Sequence, residues 1–210
     1  MDLAPRLIDT ATPRAPEAVA LVLHGGADRP DMPGVSPTQL SVLRMVPTAK
    51  ALARAGGRRL AVLRLLNTRR GWDTHTTPVD DVRWALGQVQ ERYGDLPVGL
   101  VGHSLGGRAA LLAGALDQVR SVVALNPWVY PDDGVPLPGR RVLVVHGTAD
   151  RIAPIGRAER VVERLRRAGT DIALERVEGG KHAMLRQARA FDGRAAAFTA
   201  ETLLQRVGRR

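Results

Sequence analysis

The chain contains no cysteine. Disulfide frameworks, thiol nucleophiles and thiolate metal sites are thereby excluded. Aromatic residues make up only 3% of the 210 positions, too few to build base-stacking platforms. Lysine is almost missing: among 31 basic residues only Lys50 and Lys181 are lysine, and the rest are arginine. No apolar run reaches the ~18 residues that a membrane span needs. The opening stretch, MDLAPRLIDTATPRAPEA, lacks the basic start, apolar centre and small-residue cleavage site of a secretory signal. The expectation is a cytoplasmic protein with no membrane partner.

The formal net charge of +10 raises the question of nucleic acid. The arginines, however, are scattered in pairs such as Arg58–Arg59, Arg140–Arg141 and Arg166–Arg167. Scattered charge of this kind reads as solvated surface, and the arginine excess beside abundant Ala, Gly and Val resembles a codon bias. No nucleic-acid partner is expected.

What the chain does have is alternation. Short apolar, β-branched runs at 18–23, 59–66, 97–102, 119–125, 140–147 and 171–177 read as strands. Between them lie helical patterns at about 37–56, 79–93 and 155–168, another directly after Ser104, and a largely helical tail from 182, broken near Gly193. Strands separated by helices of this length predict right-handed crossovers and a mostly parallel sheet of about six strands, covered by helices on both faces. The expected class is α/β, in one domain spanning residues 1–210. In such sheets the loops at the carboxyl ends of the strands converge on the ligand crevice. Those loops here carry His24-Gly25-Gly26, His103-Ser104-Leu105-Gly106, Gly147-Thr148-Ala149-Asp150 and Gly179-Gly180-Lys181-His182.

Ser104 lies in Gly102-His103-Ser104-Leu105-Gly106, which fits the pattern G-x-S-x-G between a strand and a helix. Glycines on both sides allow a sharp turn that pushes the hydroxyl out over the sheet. A serine hydroxyl is a poor nucleophile until a base takes its proton, and the base needs a third group to hold its tautomer. His182, behind two glycines after the last strand, is the candidate base, and Asp150 the candidate acid. Asp132 and Asp133, in the loop after the fourth strand, are rival acids. His24, His103 and His146 adjoin glycine turns and are read as shaping those loops; His75 has no assigned role. No pair of histidines has the spacing of a metal site, so neither metal nor cofactor is expected.

From "LVLHGG" through "GHSLGG" and "VVHGTADRIAP" to "GGKHAM", nearly the whole chain resembles the α/β-hydrolases. That family places nucleophile, acid and histidine in the chain order in which Ser104, Asp150 and His182 stand. The resemblance implies an oxyanion hole from the backbone N–H groups of Leu105 and Gly26. Ala27 departs from the "HGGG" form of many lipases and esterases. Dienelactone hydrolases carry cysteine at the elbow, and dehalogenases and epoxide hydrolases carry aspartate, so serine here implies a small, lidless serine esterase or a dienelactone-hydrolase-like relative. The interval "NPWVYPDDGVPLPG" is too short and proline-rich for a helical lid. Trp72, Trp128 and Tyr130 are the expected substrate wall, with plain packing as the alternative for each.

The expected function is cleavage of a carboxylic ester or thioester of a small to medium acyl substrate, by a monomer or homodimer. A cofactor-free perhydrolase would need no different residues. A non-catalytic ligand-binding protein on a hydrolase scaffold is the alternative from another class.

Overall fold

The computed structural model describes residues 4–27, 34–72 and 77–205. Its centre is one seven-stranded sheet in the order β1-β3-β2-β4-β5-β6-β7. The strands are β1 (Arg6–Ala11), β2 (Ala18–Leu23), β3 (Leu60–Leu66), β4 (Val98–His103), β5 (Val119–Leu125), β6 (Arg141–Gly147) and β7 (Asp171–Val177). Every pairing from β3 to β7 is parallel.

Six of these strands coincide with the six apolar runs to within a residue or two. The seventh, β1, is an addition to the predicted six. It pairs antiparallel with β3, Leu7 opposite Leu65, and forms one edge of the sheet. Its sequence, RLIDTA, is half polar, and none of its residues is fully buried.

The continuous apolar runs are divided by the pleat. Val19, Leu21 and Leu23 of β2 face one core and Ala18, Ala20 and Val22 the other. On the first face pack α3 (Thr77–Tyr93), α4 (Leu105–Ala113) and α5 (Ile155–Arg167); on the second lie α2 (Met45–Gly56) and α6 (Arg194–Leu204). Helix α5 shows why: Ala158, Val161, Val162 and Leu165 recur at three- and four-residue spacing and are buried, while its arginines and glutamates are exposed or half-buried. Each fully buried leucine of this kind contributes about 1.5–3 kcal/mol.

The predicted helix over 37–56 is two pieces, α1 (Leu40–Leu43) and α2, which meet at Arg44. Helix α2 ends where expected, at Gly57 with φ 53°. The tail is less helical than its pattern implies: 182–188 forms turns, and a wide π-type turn at Arg189–Gly193 leads straight into α6 rather than breaking it. No helix stands between β5 and β6, as the prolines there imply. No helix among the described residues is long and apolar enough to cross a membrane.

Candidate active site

Three of the four strand-end loops bring Ser104, Asp150 and His182 into one hydrogen-bonded series. Ser104 stands at the junction of β4 and α4 with φ 55° and ψ −121°, a left-handed conformation that an L-residue adopts only at a cost. The turn closes because its flanking glycines have no side chain. A Cβ on Gly102 would strike the Gly106 carbonyl, and one on Gly106 would strike the carbonyls of Leu23 and His24. The Ser104 N–H donates to Leu125 O at 3.0 Å, tying the elbow to β5.

His182 Nε2 lies 3.0 Å from Ser104 Oγ, and His182 Nδ1 lies 2.7 Å from Asp150 Oδ2. Because the carboxylate can only accept, Nδ1 carries the proton and Nε2 presents its lone pair to the hydroxyl. The other carboxylate oxygen, Oδ1, accepts the backbone N–H groups of Ile152 and Ala153, each at 2.9 Å. Burial pushes the Asp150 carboxyl up, but hydrogen bonds from His182 and Ala153 outweigh it and hold the group below its ordinary value. Asp150 therefore stays ionised near neutrality.

Of the rival acids, Asp133 is occupied elsewhere. It forms a buried two-pronged ion pair with Arg108 of α4, at 2.7 and 2.9 Å, and accepts the Tyr130 N–H. Asp132 is exposed.

The three loop histidines brace the surrounding turns. His24 donates to Gly25 O and accepts from Asn67 N–H, and His146 donates to Ala153 O. His103 donates through Nε2 to the His182 carbonyl at 2.8 Å. Burial lowers the pKa of all three, and burial together with the nearby His182 takes His103 down to about 3. His75 lies outside the described residues.

A cleft of about 410 Å³ opens over Ser104, walled by Gly25, Gly26, Leu105, Trp128, Ile152 and His182, among others. Both expected oxyanion-hole residues thus line it. Leu105 is the first residue of α4, so its N–H has no partner within the helix and lies at the positive end of the helix dipole. Gly26 is pinned beside it: a side chain there would run into the Arg70 carbonyl, and the next N–H, of Ala27, donates to that same carbonyl at 2.8 Å.

The three expected wall aromatics separate. Trp128 lines the cleft. The rings of Trp72 and Tyr130 lie instead against the Arg108 guanidinium, whose carbon is 4.2 and 4.8 Å from their centroids. Tyr130 reaches the cleft only through Trp128, edge-on at 5.0 Å.

Two residues were missed by the sequence reading. Asn126, fully buried with φ 40°, accepts the Gly147 N–H at 2.8 Å and donates to the carbonyls of Lys181 and His182 at 3.1 Å each. Arg44 donates to Ala183 O at 2.7 Å and pairs with buried Asp192. The Asn-Pro step after β5 was the one available signal for Asn126; nothing in the pattern marks Arg44. Among the described residues no cluster of His, Asp or Glu could hold a metal.

Comparison with known proteins agrees with this fold. A solved dienelactone hydrolase from Anabaena variabilis superposes with TM-score 0.71 at 21% identity, covering 95% of this chain and 91% of that one. XC6422 from Xanthomonas campestris, described as an α/β serine hydrolase without a lid, gives TM-score 0.70 at 20% identity over 96% and 89%. Est1E from Butyrivibrio proteoclasticus with ferulic acid bound gives 0.69 at 14% identity over 96% of each chain. No curated protein matches. The model of the dienelactone hydrolase family matches residues 62–207, which takes in the elbow and the loops of both Asp150 and His182. The chain is thus an α/β-hydrolase of the dienelactone hydrolase family, one that carries serine at its elbow.

Proposed function

We propose that the protein is a serine hydrolase that cleaves a carboxylic ester or thioester through an acyl-enzyme intermediate. The observation that carries this reading is the unbroken series Ser104–His182–Asp150, with distances of 3.0 and 2.7 Å, at the floor of the cleft. His182 Nε2 takes the Ser104 proton as Oγ attacks the substrate carbonyl carbon. The oxyanion that develops is held by the backbone N–H groups of Leu105 and Gly26. Collapse expels the alcohol or thiol, which receives the proton from His182. Water repeats the sequence in reverse roles, releasing the acid and restoring Ser104. Asp150, ionised throughout, holds the tautomer and offsets the imidazolium charge.

The family supports an ester, since a lactone is an internal one, and a neighbour that binds ferulic acid supports a carboxylic acid product. The absence of cysteine fits a cytoplasmic setting.

The test is hydrolysis of p-nitrophenyl esters from acetate to long acyl chains, with Ser104→Ala as the blank. Serine-dependent turnover peaking at one chain length is the expected result. If no ester is cleaved, thioesters and hydrogen peroxide as acyl acceptor are the next arms. Failure in all of them leaves ligand binding without chemistry as the reading.

A further inference from the structure

Arg151 directly follows the acid Asp150, and Lys181 directly precedes the base His182. Ion pairs hold several cations of the fold: Arg44 with Asp192, Arg108 with Asp133, Arg176 with Glu159, Arg194 with Glu175. Arg151 and Lys181 have no carboxylate within ion-pair distance among the described residues. Both line a crevice of about 390 Å³, together with Ala149, Ile152, His182 and Ala183. Ile152 and His182 also wall the main cleft, so the two spaces lie on either side of these shared residues.

The backbone under each cation is fixed. Arg151 sits in the turn closed by the Asp150 carboxylate, and the Lys181 carbonyl is held by Asn126. In the proposed reaction His182 hands its proton to the departing oxygen or sulfur. The leaving group therefore departs alongside His182, where this crevice begins.

We infer that the crevice is a leaving-group subsite for an alcohol or thiol that carries a carboxylate or phosphate. The Arg151 fork and the Lys181 ammonium meet the anion, and Ile152, 64% exposed, meets the carbon skeleton. The net charge of +10 favours the approach of such a substrate. This inference rests on the acyl-hydrolase reading.

The experiment compares aryl acetates matched in acyl group, whose phenol bears a carboxylate, a phosphate or an uncharged carboxamide. At low salt the parent is expected to favour an anionic ester over the neutral one in kcat/KM by roughly tenfold, the size of two screened charge contacts. The carboxylate and phosphate arms identify which anion is preferred. In the Arg151→Gln/Lys181→Gln double variant the ratio should fall to near one. A parent with no charge preference, or a double variant that keeps it, overturns the subsite. Binding of 4-hydroxybenzoate and of inorganic phosphate, followed by chemical-shift perturbation in parent and double variant, separates the two readings. If no ester or thioester is cleaved and peroxide accepts no acyl group, the acyl-hydrolase reading falls, and only anion binding that the double variant loses sustains the subsite.

Discussion

Asn126 donates through Nδ2 to the main-chain carbonyl of His182 at 3.1 Å while its Oδ1 accepts the Gly147 N–H at 2.8 Å. One buried amide thus fastens the end of β6, which leads to the proposed acid, to the loop that carries the proposed base. Asn126→Asp replaces the donor with an acceptor facing two carbonyls. The expected outcome is a drop in kcat of roughly 10–100-fold, the size of effect that misplacing a catalytic group produces. KM should change little, and steady-state kinetics with a p-nitrophenyl ester reads the split.

Ser104 allows its chemistry and its backbone to be separated. Ser104→Ala and Ser104→Gly both remove the proposed nucleophile and its hydrogen bond to His182, and each should lower kcat by about 10³-fold or more. Only the glycine variant also relieves the φ of 55°. Ser104→Gly should therefore be more stable than Ser104→Ala by about 1 kcal/mol in urea denaturation, the lower end of what such a backbone position stores.

Stability should decline as the solution is acidified, beginning near pH 6.5. His24, His103 and His146 are each held below the ordinary value of 6.5 by burial. Below that pH the unfolded chain takes up protons that the folded one refuses. Their stabilising contribution is whole above pH 6.5 and is lost on acidification by up to about 1.4 kcal/mol per pH unit for each histidine. For His103 the loss continues down to about pH 3. Asp150, with its pKa lowered, adds a further loss only below its ordinary value of 3.8. Urea midpoints from pH 8 to 4 measure this slope, and His103→Gln should flatten it by one proton's worth. A midpoint independent of pH over that range would refute the assignment of these three histidines as neutral.

The pair Arg108–Asp133 is buried on both sides, with side-chain exposures of 7% and 9%. Asp133→Ala leaves the guanidinium without its counter-charge, at an expected cost of about 3–5 kcal/mol. Arg108→Met combined with Asp133→Ala should cost markedly less than the two single changes summed. A double-mutant cycle in urea measures the difference.

The parts legible in the sequence were those where one physical requirement acts alone. Strands β2 to β6 are parallel and mostly covered on both faces, so they read as nearly continuous apolar runs, while β7 at the other edge shows only an interrupted one, DIALERV. Ser104, Asp150 and His182 each follow such a run and adjoin a glycine turn. Strand β1 escaped notice because an edge strand with a single neighbour needs no apolar pattern. Trp72 and Tyr130 were expected on a cleft wall because aromatics near a site are few. Their placement is set by Arg108, whose partner Asp133 lies 25 positions away, and no local spacing reports that distance. Arg44 and Asn126 stayed hidden for the same reason: each acts through side-chain bonds that span 21 positions or more.

Ser104 and His182 are separated by 78 positions, and β4, β5, β6 and β7 join the sheet side by side in the order in which they occur in the chain. A polypeptide emerging from a ribosome would thus display its proposed nucleophile long before its proposed base. Until β7 has docked on β6 and the loop beyond it has closed over His103 and Asn126, the serine lacks the imidazole proposed to deprotonate it. Assembly of long-range parallel pairs is the slow part of folding. The proposed activity would therefore appear late in assembly, and its appearance would time the docking of β7.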